Sequence, residues 1–314
     1  MKEAALIEQR VKILNDLLHD CHLCPRNCRA NRLTGEKGYC ALGSKMIISH
    51  ALAHHGEEPP ISGLGGAGTL FFSSCNLRCR YCQNYQISHG LQGRIIDAQE
   101  LSDIMLKLQS SGCHNVESVT PTPHIGGLAE ALQLARRKGL TIPFVYNCGG
   151  YESPEIIRLL RGMVDIYLPD FKYGLSEEAA EFSDSADYSR WALESIKEMI
   201  EQVGDSLETK DDIAVRGIII RHLVLPGKSD NSLEVLRLIK KHLSPSIPIS
   251  IMSQYTPMPM LKDHPCLGKR LTKEEYDFVV EEALDMGFEE IYTQEADKRT
   301  LNPDFDREQP FQWK

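Results

Sequence analysis

The chain has 314 residues, with 35 Lys and Arg against 44 Asp and Glu, a formal charge of −9. That balance disfavours a mainly electrostatic grip on nucleic acid or on an anionic membrane, since both need a surplus of Lys and Arg. At 42% hydrophobic and 25% charged the composition is that of a globular protein, and it has no run of 18 apolar residues: the nearest, Ile213 to Leu225, is broken by Arg216, Arg221 and His222.

Residues 4–18 read as an amphipathic helix with Ile7, Val11, Leu14 and Leu18 on one face. The charges at Lys2, Glu3, Glu8, Arg10, Lys12 and Asp16 do not suit a signal peptide, so a cytoplasmic protein without membrane spans is expected. Next come Cys21, Cys24, Cys28 and Cys40, in a stretch with Pro25, Gly35 and Gly38 and little periodicity, which reads as a metal-organised loop. His50, His54 and His55 follow, with no carboxylate or Cys at matched spacing, and read as surface or packing residues. After Pro59 and Pro60 stand four glycines, Gly63, Gly65, Gly66 and Gly68. A boundary is expected near residue 60, giving an N-terminal helix and Cys-rich element (1–60), a main domain (61–296) and a polar tail (297–314) lying over the surface.

From there strands are predicted at 69–73, 115–120, 142–147, 163–168, 214–221, 247–252 and 289–293. Helical patterns lie between them at 97–110, 126–138, 153–161, 176–203, 231–242 and 272–286. A βα repeat implies a parallel sheet, and spacing alone fits both an open doubly wound sheet and a full or partial β/α barrel.

Ten cysteines in an untargeted chain point to metal ligation or catalysis rather than disulfides. Besides the N-terminal four, three stand within eight residues, Cys75-Asn-Leu-Arg-Cys79-Arg-Tyr81-Cys82, directly after the first predicted strand. Three thiolates on one short loop can hold three irons of a cubane [4Fe–4S] cluster and leave the fourth iron without a protein ligand. The bland alternative is a three-cysteine zinc site. This loop, with the aromatic Tyr81 before its third cysteine, resembles the cluster loop of the radical S-adenosylmethionine (SAM) superfamily. The longer stretch Cys82-Gln-Asn-Tyr-Gln-Ile-Ser-His89 narrows the resemblance to PflX-like proteins related to pyruvate formate-lyase activating enzyme.

The resemblance implies a partial (β/α)6-type or near-complete β/α barrel with a Cys-rich N-terminal extension. It implies that the open iron chelates SAM, and that reductive cleavage yields a 5′-deoxyadenosyl radical that abstracts hydrogen from a substrate. Such an oxidoreductase could be an activase acting on a glycine of a partner protein, served by a low-potential donor such as flavodoxin or ferredoxin. Peptide or RNA modification is a second radical outcome, with RNA disfavoured by the charge. A different class, a metal-stabilised binding or scaffold protein whose barrel does not cleave SAM, is suggested by one departure: relatives carry a Gly-Gly-Glu-like stretch after strand 2, where this chain has Val119-Thr-Pro-Thr-Pro-His124.

In a β/α barrel the strand ends form the active face. The residues expected there as SAM-binding are Tyr81, Thr120, Thr122, Asn147, Asp170, Lys172, Arg221 and His222, with Gln254 and Tyr255 on the substrate side. Asn147 resembles a ribose contact, and Asp170 and Lys172 resemble an Asp-x-Lys that holds a cation beside the SAM carboxylate. Arg221 or His222 is expected at the site because a charge inside an apolar strand is costly unless it faces a cavity or a partner. Cys21-x2-Cys24-x3-Cys28-x11-Cys40 supplies four thiolates, enough for zinc or a second iron–sulfur cluster, with a structural role favoured.

Overall fold

Apolar strands alternating with amphipathic helices build one curved wall. In the computed structural model, residues 2–295 and 302–311 are described. Strands β2 (Ala67–Phe72), β4 (Asn115–Val119), β5 (Phe144–Cys148), β6 (Ile166–Pro169) and β8 (Ile213–Ile218) pair in parallel as successive neighbours. A second parallel sheet joins β9 (Ile220–Leu223), β10 (Ile249–Met252) and β11 (Ile291–Thr293). The two are continuous at β6, where Phe171 N donates to Arg221 O at 2.7 Å and Asp170 bridges Arg221 in parallel. Neighbours in space are thus neighbours along the chain, the order of a singly wound barrel rather than of a sheet that reverses at a switch point. Among the described residues no ladder joins β11 back to the other edge, so the barrel is partial.

All residues of β2, β4, β5, β6 and β10 are buried, as expected for parallel strands covered on both faces. The helices α4 (Ala98–Ser110), α5 (Ile125–Arg137), α6 (Pro154–Leu159), α8 (Tyr188–Val203), α9 (Ser229–His242) and α10 (Lys273–Asp285) fill the crossovers. The N-terminal helix α1 (Lys2–Asp16) rests on α5 and α6 through Val11 and Leu14. Tyr188 ties the ends of β5 and β6: its hydroxyl lies 2.8 Å from both Gly149 O and Asp170 O and accepts from Lys172 N at 2.9 Å. Gly150 permits that approach, because at φ 78° a Cβ would stand 2.1 Å from Asp170 O.

The structure departs from the sequence reading in several places. The helix expected over 176–203 is two, α7 (Ser176–Ser183) and α8, because Asp184 turns left-handed (φ 50°) and caps α7 through its backbone N–H. The strand expected over 214–221 divides at Ile219, so that β8 serves one sheet and β9 the other. Three strands went unpredicted: β1 (Met46–His54), β3 (Arg94–Ile96) and β7 (Leu207–Lys210), all antiparallel additions to the sheet. Their outer residues are exposed or half-buried, which dilutes the apolar signal. Because β1 lies hydrogen-bonded between β3 and β2, the main sheet takes in residues upstream of the boundary expected at 60. Two short helices, α2 (Pro59–Ser62) and α3 (Tyr85–Ser88), flank β2 and the cysteine loop. Of the expected tail, residues 302–311 are described, and they do more than cover surface: Phe305 is buried against His50 and Phe71.

Candidate active site

The loop that follows β2 starts with Ser74 in a left-handed conformation (φ 79°), its N–H bonded to Ile87 O at 2.8 Å. This turns Cys75, Cys79 and Cys82 into a cavity of about 460 Å³ at the C-terminal ends of the strands, a size suited to a small-molecule ligand. Leu77 N donates to Cys75 Sγ and Ser88 Oγ to Cys82 Sγ, each at 3.3 Å. Tyr81 is buried edge-on to Tyr173 and Phe182, which fixes the loop between its second and third cysteines.

Burial, reinforced by Cys79, pushes the Cys75 thiol up to about 12 and the Cys82 thiol up to about 11. Thiolates at Cys75 and Cys82 are therefore disfavoured in the bare protein, and a cationic metal would balance them. All ten cysteines are free, and among the described residues no three His, Cys, Asp or Glu side chains are already closed on one point, so ligation requires thiol rotation.

Facing the loop is a buried polar wall. Arg221 Nη1 pairs with Glu57 Oε2 at 2.8 Å, its Nε with Asp170 Oδ1 at 3.1 Å, and its Nη2 donates to Asn147 Oδ1 at 2.6 Å. Lys172 pairs with the other oxygen of Asp170. Behind them, Glu117 accepts from Asn147 Nδ2 at 2.6 Å and Thr69 Oγ1 at 2.9 Å. Burial raises the Asp170 pKa, but Lys172 and Arg221 outweigh it and hold the carboxyl below its ordinary range. Burial likewise opposes the charge of Arg221, and Asp170 and Glu57 overcome it, so the guanidinium stays protonated. Glu57 is raised by burial, and Glu117 is pushed up to about 8 by burial and by Glu57.

Most expected residues meet here: the three cysteines, Tyr81, Thr120, Asn147, Asp170, Lys172, Arg221 and Gln254 all line the cavity. Thr120 does so from a left-handed turn (φ 54°) at the end of β4. Three do not. His222 points the opposite way along β9, its Nδ1 2.7 Å from Phe171 O and its Nε2 2.8 Å from Ser232 Oγ, because alternate residues of a strand face opposite sides. Thr122 is one turn past the strand end and donates to Glu152 behind the wall. Tyr255 spends its hydroxyl on Leu267 O at 2.5 Å. The residues missed were Glu57, Glu117 and His54. Glu117 carried a weaker signal, an acid between Val116 and Val119 in a predicted strand. His54 lines the cavity from β1, with the Phe311 ring tilted 45° against it at 4.2 Å, and burial lowers its pKa to about 4.

Cys21, Cys24, Cys28 and Cys40 together line a second, much smaller cavity of about 20 Å³. It lies directly behind the cysteine loop. Ser74 Oγ donates to Cys40 O at 2.5 Å, Arg26 Nε to Asn76 O at 2.8 Å and Tyr39 Oη to Leu77 O at 3.2 Å.

A thiol-bearing loop at the C-terminal edge of a singly wound β/α wall, opposite a buried charged cleft, defines a partial β/α barrel with its site at the strand ends. The family model of the radical SAM superfamily matches residues 69–239, and the chain belongs to that superfamily. It is 32% identical over 297 residues to an uncharacterised protein of Methanocaldococcus jannaschii, covering 91% of this chain and 81% of that one. A second uncharacterised protein of the same organism is 22% identical, over 90% of this chain and 83% of its own length. Among solved structures, a radical SAM methyltransferase from Sphaerobacter thermophilus aligns with TM-score 0.51 at 13% identity. That alignment takes in 72% of this chain and 65% of the methyltransferase, just under two thirds of its length, and bears on the fold alone.

Proposed function

We propose that the protein is an enzyme that holds a [4Fe–4S] cluster through Cys75, Cys79 and Cys82 and SAM beside it, and that it abstracts a hydrogen atom from a protein, peptide or small-molecule substrate. The observation that carries this reading is the convergence, in one cavity, of three loop thiols with the Asn147, Asp170, Lys172 and Arg221 wall. When bound, the cluster and SAM supply reductive cleavage of the sulfonium C–S bond, for which a flavodoxin- or ferredoxin-like donor provides the electron.

The chain's own residues bind, orient and shield. Lys172 and Arg221 offer cationic donors to a carboxylate, while Glu57 and Asp170 offer acceptors to an ammonium group. That supply answers the missing Gly-Gly-Glu-like stretch, since Glu57 reaches the same cavity from another segment. Asn147, held by Glu117 on one side and Arg221 on the other, has a fixed amide for a ribose hydroxyl. Phe71, Leu77, Met252 and Phe311 line the cavity with apolar surface and limit water. The activating-enzyme reading, with a glycine of a partner protein as hydrogen donor, is the finer form of the proposal.

Anaerobically reconstituted protein with dithionite and SAM is expected to release 5′-deoxyadenosine and methionine, and the Cys79→Ala variant is not. Absence of cleavage by protein with an intact cluster would overturn the reading. Deuterium transfer from a candidate substrate into 5′-deoxyadenosine tests the finer form.

A further inference from the structure

The N-terminal cysteines have no part in the reaction above, yet their placement is specific. Four thiols from a twenty-residue segment converge on one space, although Cys21 and Cys40 enter from opposite ends of it. Tyr39 N donates to Cys28 Sγ at 3.2 Å. Arg32, 2% exposed, stands 3.8 Å from Cys21 Sγ and bonds Gly43 O and Pro123 O, locking the segment to the barrel. N–H donors aimed at sulfur are what a metal-bound thiolate needs, because its charge is only partly neutralised by the ion.

The size of the space favours a single ion. About 20 Å³ is room for roughly one water-sized sphere. A single zinc ion, with Zn–S bonds of about 2.3 Å, is the smaller occupant, and the four thiols must rotate to close on it. A cubane of four irons and four sulfides needs more room than this space offers, with Pro123, Asn76 and Arg32 also lining it. Gly38 restricts it further, since even a Cβ there would lie 2.7 Å from Cys28 Sγ.

We infer that Cys21, Cys24, Cys28 and Cys40 bind one zinc ion, and that this closed site braces the catalytic loop from behind. The brace runs through Cys40 O to Ser74, Arg26 to Asn76 and Tyr39 to Leu77, so residues 74–77 are held from the zinc side while their thiols face the cavity. The zinc assignment stands apart from the proposed function, whereas the brace rests on that reading for the identity of what the loop carries.

The test is a metal and sulfide count on full-length protein isolated anaerobically. One zinc and about four irons per chain are expected, with Cys28→Ser losing zinc and Cys79→Ala losing iron but keeping zinc. About eight irons without zinc, or no metal bound by the N-terminal set in the Cys79→Ala protein, overturns the assignment. Cobalt substitution gives a readout that needs no cysteine variant: the wild-type protein should show the intense visible bands of tetrahedral cobalt thiolate, and octahedral spectra overturn the site. For the brace, the Tyr39→Phe protein, which keeps all four ligands, should retain zinc and lose iron to a chelator several-fold faster than wild type. Equal rates of iron loss overturn the brace while leaving the zinc count and the proposed reaction to stand on their own results.

Discussion

Two cysteine-rich segments lie back to back across residues 74–77, and they differ in what their thiols face. Cys75, Cys79 and Cys82 open onto a cavity of about 460 Å³ opposite buried charge, while Cys21, Cys24, Cys28 and Cys40 close around about 20 Å³ beside Arg32, Asn76 and Pro123. Ligand number accounts for the contrast. Three thiols on a short loop leave a coordination position that chemistry can use, and four from a longer segment complete a tetrahedron and exclude everything else. On the proposed readings the same residue type serves reaction in one place and rigidity in the other.

The sharpest way to break the comparison is to remove one thiol from each side. Cys79→Ala should reduce SAM cleavage to background, whereas Cys28→Ser should keep measurable cleavage, read as 5′-deoxyadenosine released per iron retained. Next in size is the polar wall. Arg221→Met leaves Glu57 and Asp170 buried without their shared partner, and urea unfolding should show a loss of about 3–5 kcal/mol.

Glu117 sets a pH dependence. Its folded-state pKa of about 8 lies above the ordinary 4.5, so the folded protein binds the proton more tightly than the unfolded chain does. The stability from the protonated group is complete below about 4.5 and is lost as pH rises through about 8. Glu117→Gln, which keeps the shape without the charge, should flatten the fall in stability across that window. A slope unchanged by the substitution would place the titration elsewhere.

Smaller effects separate the two faces of β9. His222→Leu removes partners from Phe171 O and Ser232 and should cost about 1–3 kcal/mol of stability, with SAM affinity by calorimetry unchanged. A weakened affinity at unchanged stability would return His222 to the site. The smallest expected change is Tyr39→Phe, which deletes one hydrogen bond between the two segments, about 0.5–1.5 kcal/mol in thermal unfolding.

Much of this was legible along the chain because the signals were local. The cysteine spacing sits on a single loop, and the seven predicted strands, which are eight once 214–221 divides, alternate with helical patterns, so their order could be read one after another. Asn147, Asp170 and Lys172 were found because whatever follows a barrel strand comes to the same rim. Arg221 and His222 could not be told apart by the cost of burying charge, since both lie in one apolar strand, and the pleat decided between them. Glu57 and His54 were missed because they arrive from β1 and the turn after it, a strand whose alternating exposure hides it among histidines and prolines.

What the sequence by itself determined is the chemistry of the donors: three thiols at loop spacing, four at segment spacing, and a βα repeat that had to form a parallel wall. Tertiary structure alone decided which side chains share a space. A salt bridge such as Glu57–Arg221 joins residues 164 positions apart, and the volume left between four thiols depends on how Arg32, Asn76 and Pro123 pack around them. Pairing across such separations is set by burial and register, which no local pattern encodes.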